Sequence, residues 1–158
     1  MLIRILIIAL LIAPSLAAQE APPGVVDRLT LVESGDAPGH IDQSRLARIF
    51  WQLIREQKLE LKHLPRVLVL HVSRKVAANV GLAASTVRTD HCTKGSDDGY
   101  YQLWLVGEPV MPDYVSGLQT VLQHEFELQP TEGELKAILE RVARRDMATV
   151  DARNLAGK

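Results

Sequence analysis

In the middle of the chain, Arg66-Val67-Leu68-Val69-Leu70-His71-Val72 runs apolar at nearly every position directly after Pro65. A segment this short and this rich in valine and leucine reads as a strand. Because both of its faces are apolar, it reads as a central strand with neighbours and cover, not as an edge. The flanking segments supply that cover. Over residues 42–58, Leu46, Ile49, Phe50, Leu53 and Ile54 recur at helical spacing and make one apolar stripe. Arg45, Arg48, Arg55 and Glu56 lie off that stripe, Asp42 is placed to cap the first turn and Ile41 to staple it.

Beyond the central strand, Ser73 is a cap for a short helix over 74–80 that stops at Gly81. Residues 85–92 read as a second strand and 93–99 as a polar loop. Residues 100–106, Tyr-Tyr-Gln-Leu-Trp-Leu-Val, read as a third strand closed by Gly107 and Pro109. A helix follows over 112–128 with Tyr114, Val115, Leu118, Val121, Leu122 and Phe126 on one face. Pro130 breaks it, and Thr131-Glu-Gly-Glu134 has the form of a capping box opening a last helix to about residue 150. The expected class is α+β, with a small sheet of three to four strands packed by an N-terminal amphipathic helix and two C-terminal helices. Residues 18–40 read as a mobile lead-in with a possible edge strand over 25–33. Residues 41–152 read as a single domain and 153–158 as a frayed tail.

Residues 1–17 have a different composition. Arg4 precedes the uncharged run from Ile5 to Ala13, and Pro14-Ser15-Leu16-Ala17 follows. This is the order of charged, apolar and cleavage regions in a secretory signal peptide, with cleavage expected after Ala17 and a secreted or periplasmic product. The apolar run is shorter than the roughly 20 residues of a membrane-spanning helix, so no membrane association is expected once the signal is removed. The formal net charge of −1 offers no basic excess for nucleic acid. Cys92 is the one cysteine, so no disulfide forms within the chain and the core must suffice.

Chemistry has few places to sit. His124-Glu125 on a helix is half of His-Glu-x-x-His, in which two histidines one turn apart hold zinc and the glutamate activates water; position 128 is Leu128. His124 is the candidate metal ligand and Glu125 the candidate acid/base. On the helical wheel Glu125 falls among the apolar positions, so it is expected to be at least half buried against the sheet, with a basic or backbone donor partner such as Arg74, His71 or His91. His71 and His91 are candidate binding residues, each on a strand. His91 and Cys92 are adjacent on one strand, face opposite ways and cannot easily share a metal. Tyr100 and Trp104 share a strand face and are candidate binding residues of an aromatic patch, with Tyr101 on the other face. Asp97-Asp98-Gly99 lacks a full calcium-loop pattern and reads as a turn.

The order of strand, short helix, two strands and a His-Glu helix over residues 42–145 resembles the layout of minimal zincin-type metallopeptidase domains. That resemblance implies a glutamate on the following helix as a third ligand, at Glu134 or Glu140, and the missing second histidine implies an inactive relative. The expected function is a non-enzymatic exported domain that binds a protein or small-molecule partner without a cofactor. The alternative is a degenerate or divergent zinc-dependent hydrolase.

Overall fold

A computed structural model of the chain describes residues 19–35, 41–82, 86–93 and 99–157. The expected signal peptide, Ser85 and the Asp97-Asp98 pair lie outside the described residues. The fold is α+β, a four-stranded mixed sheet with its long helices on one face. Its elements are α1 (Pro23–Val26), β1 (Leu29–Glu33), α2 (Gln43–Glu56), β2 (Val67–Val72), α3 (Arg74–Asn79), β3 (Val87–Cys92), β4 (Tyr100–Val106), α4 (Met111–Glu125) and α5 (Glu132–Ala156). The strand order is β1-β2-β4-β3. The first three of these run parallel, and β3 closes the far edge antiparallel to β4. The doubly apolar run does lie in the interior of the sheet.

Local chemistry sets the element ends. The Asp42 carboxylate accepts the Arg45 N–H at 2.7 Å, and the Ser73 hydroxyl accepts the Val76 N–H at 3.2 Å. At α5 both bonds of the capping box form, Glu134 N–H to Thr131 Oγ1 at 3.2 Å and Thr131 N–H to Glu134 Oε2 at 2.8 Å. Two expected boundaries move. The expected helix over 112–128 ends at Glu125, because Glu127 turns into the left-handed region at φ 52 and the Leu128 N–H returns to the Gln123 carbonyl. The last helix continues past residue 150 to Ala156, and its Arg153 bonds Glu20. The lead-in is likewise engaged. Gln19 accepts from Arg55, and Glu20 also lies 3.6 Å from Arg48.

Strand parity assigns every side chain to one of two faces. Leu29, Val67, Val69, Tyr101, Leu103 and Leu105 point toward α2 and α4 and join Leu46, Ile49, Phe50, Leu53, Leu118, Val121 and Leu122 in the main core. Helix α4 approaches closely at Gly117, where a Cβ would sit 2.5 Å from Leu103 Cδ1. Helix α5 packs on α2 and α4 through a more polar seam. Asp146, fully buried, accepts a bifurcated hydrogen bond from Arg45 Nε–H and another from its Nη2, and Glu56 pairs with Arg141 and Arg145. Arg48, off the apolar stripe of α2, is nonetheless only 2% exposed.

The second face carries Thr30, Val32, Leu68, Leu70, Tyr100, Gln102, Trp104, Arg88, Asp90 and Cys92. At its C-terminal end α3 covers Val72 and Val106 with Ala77 and Leu82, and Val76 and Trp104 pack at the margin. Across the rest of this face Leu68, Leu70 and Trp104 are half-buried, while Val32 and Tyr100 are exposed. No helix among the described residues is long and apolar enough to cross a membrane.

Candidate functional site

Chemistry-bearing side chains gather where the parallel strands begin. On the helix face, β3 and β4 pair His91 with Tyr101, and their rings stack at 4.3 Å with 10° between planes. The end of α4 passes over the same spot. The buried Tyr101 hydroxyl lies 2.7 Å from Glu125 Oε2 and 2.7 Å from His124 Nδ1. A phenol has one proton, and an ionised carboxylate can only accept. Tyr101 therefore donates to Glu125, and His124 donates its Nδ1–H to the Tyr101 oxygen. This tautomer leaves the lone pair of a neutral His124 on Nε2. Burial, reinforced by the hydrogen bond and charge of Glu125, pushes the Tyr101 pKa well above the usual phenol value. The His124 and His91 rings meet edge-on at 5.1 Å. Gly99, at φ +62, lets the chain pass His91, since a Cβ there would lie 3.1 Å from the ring Nε2.

Glu125 is exposed, contrary to the wheel argument, and its partner is a phenol rather than a basic or backbone donor. The reason is longitudinal. Glu125 is the last residue of α4, and the inward direction that buries Val121 one turn earlier meets the open end of the sheet. His71 and Arg74 cannot reach it. His71 sits at the opposite end of β2, beside Leu105 in register, and Arg74 lies against Gly107. His71 is fully buried and its Nε2–H donates to the Gly107 carbonyl at 2.9 Å, with Nδ1 3.6 Å from Glu33. It ties β2 to the turn after β4, and the structure does not bring it to His91.

The remaining candidates also separate. Trp104 and Tyr100 share the second face as expected, with Trp104 toward the α3 end and Tyr100 at the strand-start end. Glu134 is occupied in its capping box, and Glu140 pairs with Lys136. Leu128 lies past the end of α4, so a helical i, i+4 relation to His124 is absent there. Among the described residues no three His, Cys, Asp or Glu side chains are grouped to hold a metal ion.

Cations missed in the sequence complete the site. Arg28 and Arg66 immediately precede β1 and β2, and the Val67 N–H bonds the Arg28 carbonyl at 2.8 Å. Continuing the Leu29–Val67 register by one residue sets the two arginines side by side on the second face, with Tyr100 next in the row. Neither guanidinium has an ion-pair or hydrogen-bond partner among the described residues. Both line two adjoining depressions. One, of about 360 Å³, also has Asp27, Thr30, Leu68, Gly99 and Tyr100. The other, of about 240 Å³, turns the corner to Lys62, His63 and Glu125. No local pattern marks these arginines, because only the register of two distant strands makes them neighbours. No family model matches the chain, and no curated protein or solved structure matches it either.

Proposed function

We propose that the chain is an exported, non-catalytic binding domain whose ligand carries an anionic group, seated between Arg28 and Arg66. The observation that carries this reading is the cross-strand pairing of the two arginines in a cleft, with no described carboxylate bonded to either. Like charges directly opposite on neighbouring strands are destabilising, and a planar guanidinium pair suits bidentate capture of a carboxylate or phosphate. Lys62, paired with Glu60 at 3.3 Å, and His63 line the adjoining end, where Glu125 sets a limit on where an anion can sit. A non-catalytic role is supported by the exposure of His124 and Glu125, which leaves them in water and tied to one phenol instead of converging on a shielded reacting centre.

The test is calorimetric titration with inorganic phosphate and with acetate at low salt. Saturable binding by the unaltered protein, weakened roughly tenfold or more in Arg66→Gln, supports the reading. Thermal stability should be held or raised in that variant, since a like-charge contact is relieved. Absence of saturable binding, or binding indifferent to both Arg28→Gln and Arg66→Gln, overturns it.

The close approach of His91 to His124, with Nε2 of the latter free to ligate, favours one second reading, a divergent zinc-dependent hydrolase. Two histidines fall short of the three protein ligands of catalytic zinc sites. Elemental analysis after zinc loading and dialysis is expected to find well under one zinc per chain. One zinc per chain, lost in His124→Ala, would show a metal site there and favour the hydrolase reading instead.

A further inference from the structure

Beyond the arginine pair, the second face of the sheet continues as a narrow apolar strip along β2, with Val32 on one side, Trp104 on the other, and the Arg88–Asp90 ion pair at the β3 edge. In register, Thr30, Leu68, Gln102 and Asp90 form the next row across the strands, and Val32, Leu70, Trp104 and Arg88 the row after that. Leu68 and Leu70 lie on an interior strand yet stay half-buried, and Val32 is 45% exposed. The strip ends at α3, where Val76 and Trp104 both pack against the cluster of Val72, Ala77, Leu82 and Val106. From Arg66 to Leu70 the strand spans roughly 13 Å at about 3.3 Å per residue, and the charged end and the apolar end lie on one line.

We propose that the ligand is a free amphiphilic carboxylate, a medium-chain fatty acid. Its head sits on Arg28 and Arg66, and its alkyl tail lies along Leu68 and Leu70 toward Trp104. The assignment rests on the anion-binding reading and adds the tail. Charge complementarity sets the polarity, because the two arginines stand at the strand starts and the apolar Leu70 and Trp104 toward the α3 end. A phosphate alone leaves the apolar rows in water. A wholly apolar ligand makes no use of the two guanidinium groups, beside which Asp27 is the carboxylate among the described lining residues of that depression. The depression of about 360 Å³ at the head falls within the size range of small-molecule sites, and each methylene placed on the strip adds to affinity by leaving water.

The experiment compares sodium decanoate, held below its micelle concentration, with butyrate and inorganic phosphate. Binding is followed by calorimetry and by Trp104 fluorescence in a Trp51→Phe background. Decanoate is expected to bind roughly tenfold or more tighter than butyrate and to change the Trp104 emission. Leu70→Asn should remove that advantage while phosphate binding stays as it was, and Val32→Thr, at an exposed edge position that does not endanger folding, should reduce it. Arg66→Gln should weaken both ligands. Equal affinity for decanoate and butyrate overturns the tail assignment and leaves the anion site standing. Failure of the unaltered protein to bind either phosphate or decanoate removes both readings. Decanoate affinity unchanged in Arg66→Gln overturns the head placement. Co-sedimentation with phosphatidylglycerol vesicles without binding of free decanoate shows a membrane surface to be the occupant, and overturns the proposal.

Discussion

Tyr101 has one proton to give and two partners within 2.7 Å, so it fixes the state of both. Removing its hydroxyl in Tyr101→Phe leaves the ring stacked on His91 and takes away two hydrogen bonds. The expected cost is about 1 kcal/mol in urea unfolding, the usual net worth of such bonds. The same variant releases His124. Nitrogen-15 correlation spectra of the unaltered protein should show the neutral ring protonated at Nδ1, and in the variant a mixture richer in the Nε2–H form. An unchanged tautomer would show that the phenol does not orient the ring. Tyr114 makes a contrasting prediction. Its hydroxyl is buried with no hydrogen-bond partner among the described residues, and burial, with the charge of Glu33 next, pushes its pKa up to about 12. The folded state therefore holds this proton more tightly than the unfolded chain. The contribution is whole below pH 10 and is lost as pH rises from 10 toward 12, by about 3 kcal/mol at most. Tyr114→Phe should be neutral or slightly stabilising at pH 7 and should flatten the alkaline fall in stability, both read by denaturant titrations across pH. At this scale the sequence revealed part of the site. The opposite facing of Tyr100 and Tyr101 follows from strand parity, whereas Tyr101 as the partner of His124 and Glu125 depends on where α4 stops.

Helix α4 depends on a close approach. Alanine is the better helix former by about 1 kcal/mol, yet at position 117 its Cβ would fall 2.5 Å from Leu103 Cδ1 in the main core. Gly117→Ala is therefore expected to lower stability by about 1–2 kcal/mol, since overpacking outweighs propensity. Pairing it with Leu103→Val should recover part of the loss. A gain in stability for the single variant would show that the core yields at this point. The elements themselves were largely legible, because Asp42, Ser73 and the Thr131 capping box act within one turn of sequence. The seam between α2 and α5 was not. An apolar stripe predicts which side of α2 meets the sheet, but Arg45, Arg48, Gln52 and Glu56 form a second stripe that a later helix covers. Nothing near Arg48 in sequence announces Asp146 or the return of Glu20.

For the molecule as a whole, the core carries the fold without a crosslink. Cys92 is a half-buried free thiol on the edge strand β3. Reducing agent is expected to leave the melting temperature of the monomer unchanged. A marked fall, with loss of a dimer band on non-reducing gels, would show that Cys92 joins two chains. Sheet order was beyond reach of the sequence for the same reason as the arginine pair. Runs of valine and leucine say that a strand is interior, and say nothing about which distant strand lies beside it.

That sheet order also sets a sequence of assembly. Only β3 and β4 are joined by a short connection; β2 and β4 are separated by residues 73–99, and β1 and β2 by residues 34–66. Contacts closing short loops form before those that must first gather a long one. The β3–β4 hairpin is therefore the natural nucleus, β2 is added to it, and β1 arrives last. The row that sets Arg28 against Arg66 is completed only in that final step, so a chain caught one strand short of the native state would hold most of its core and have no cleft.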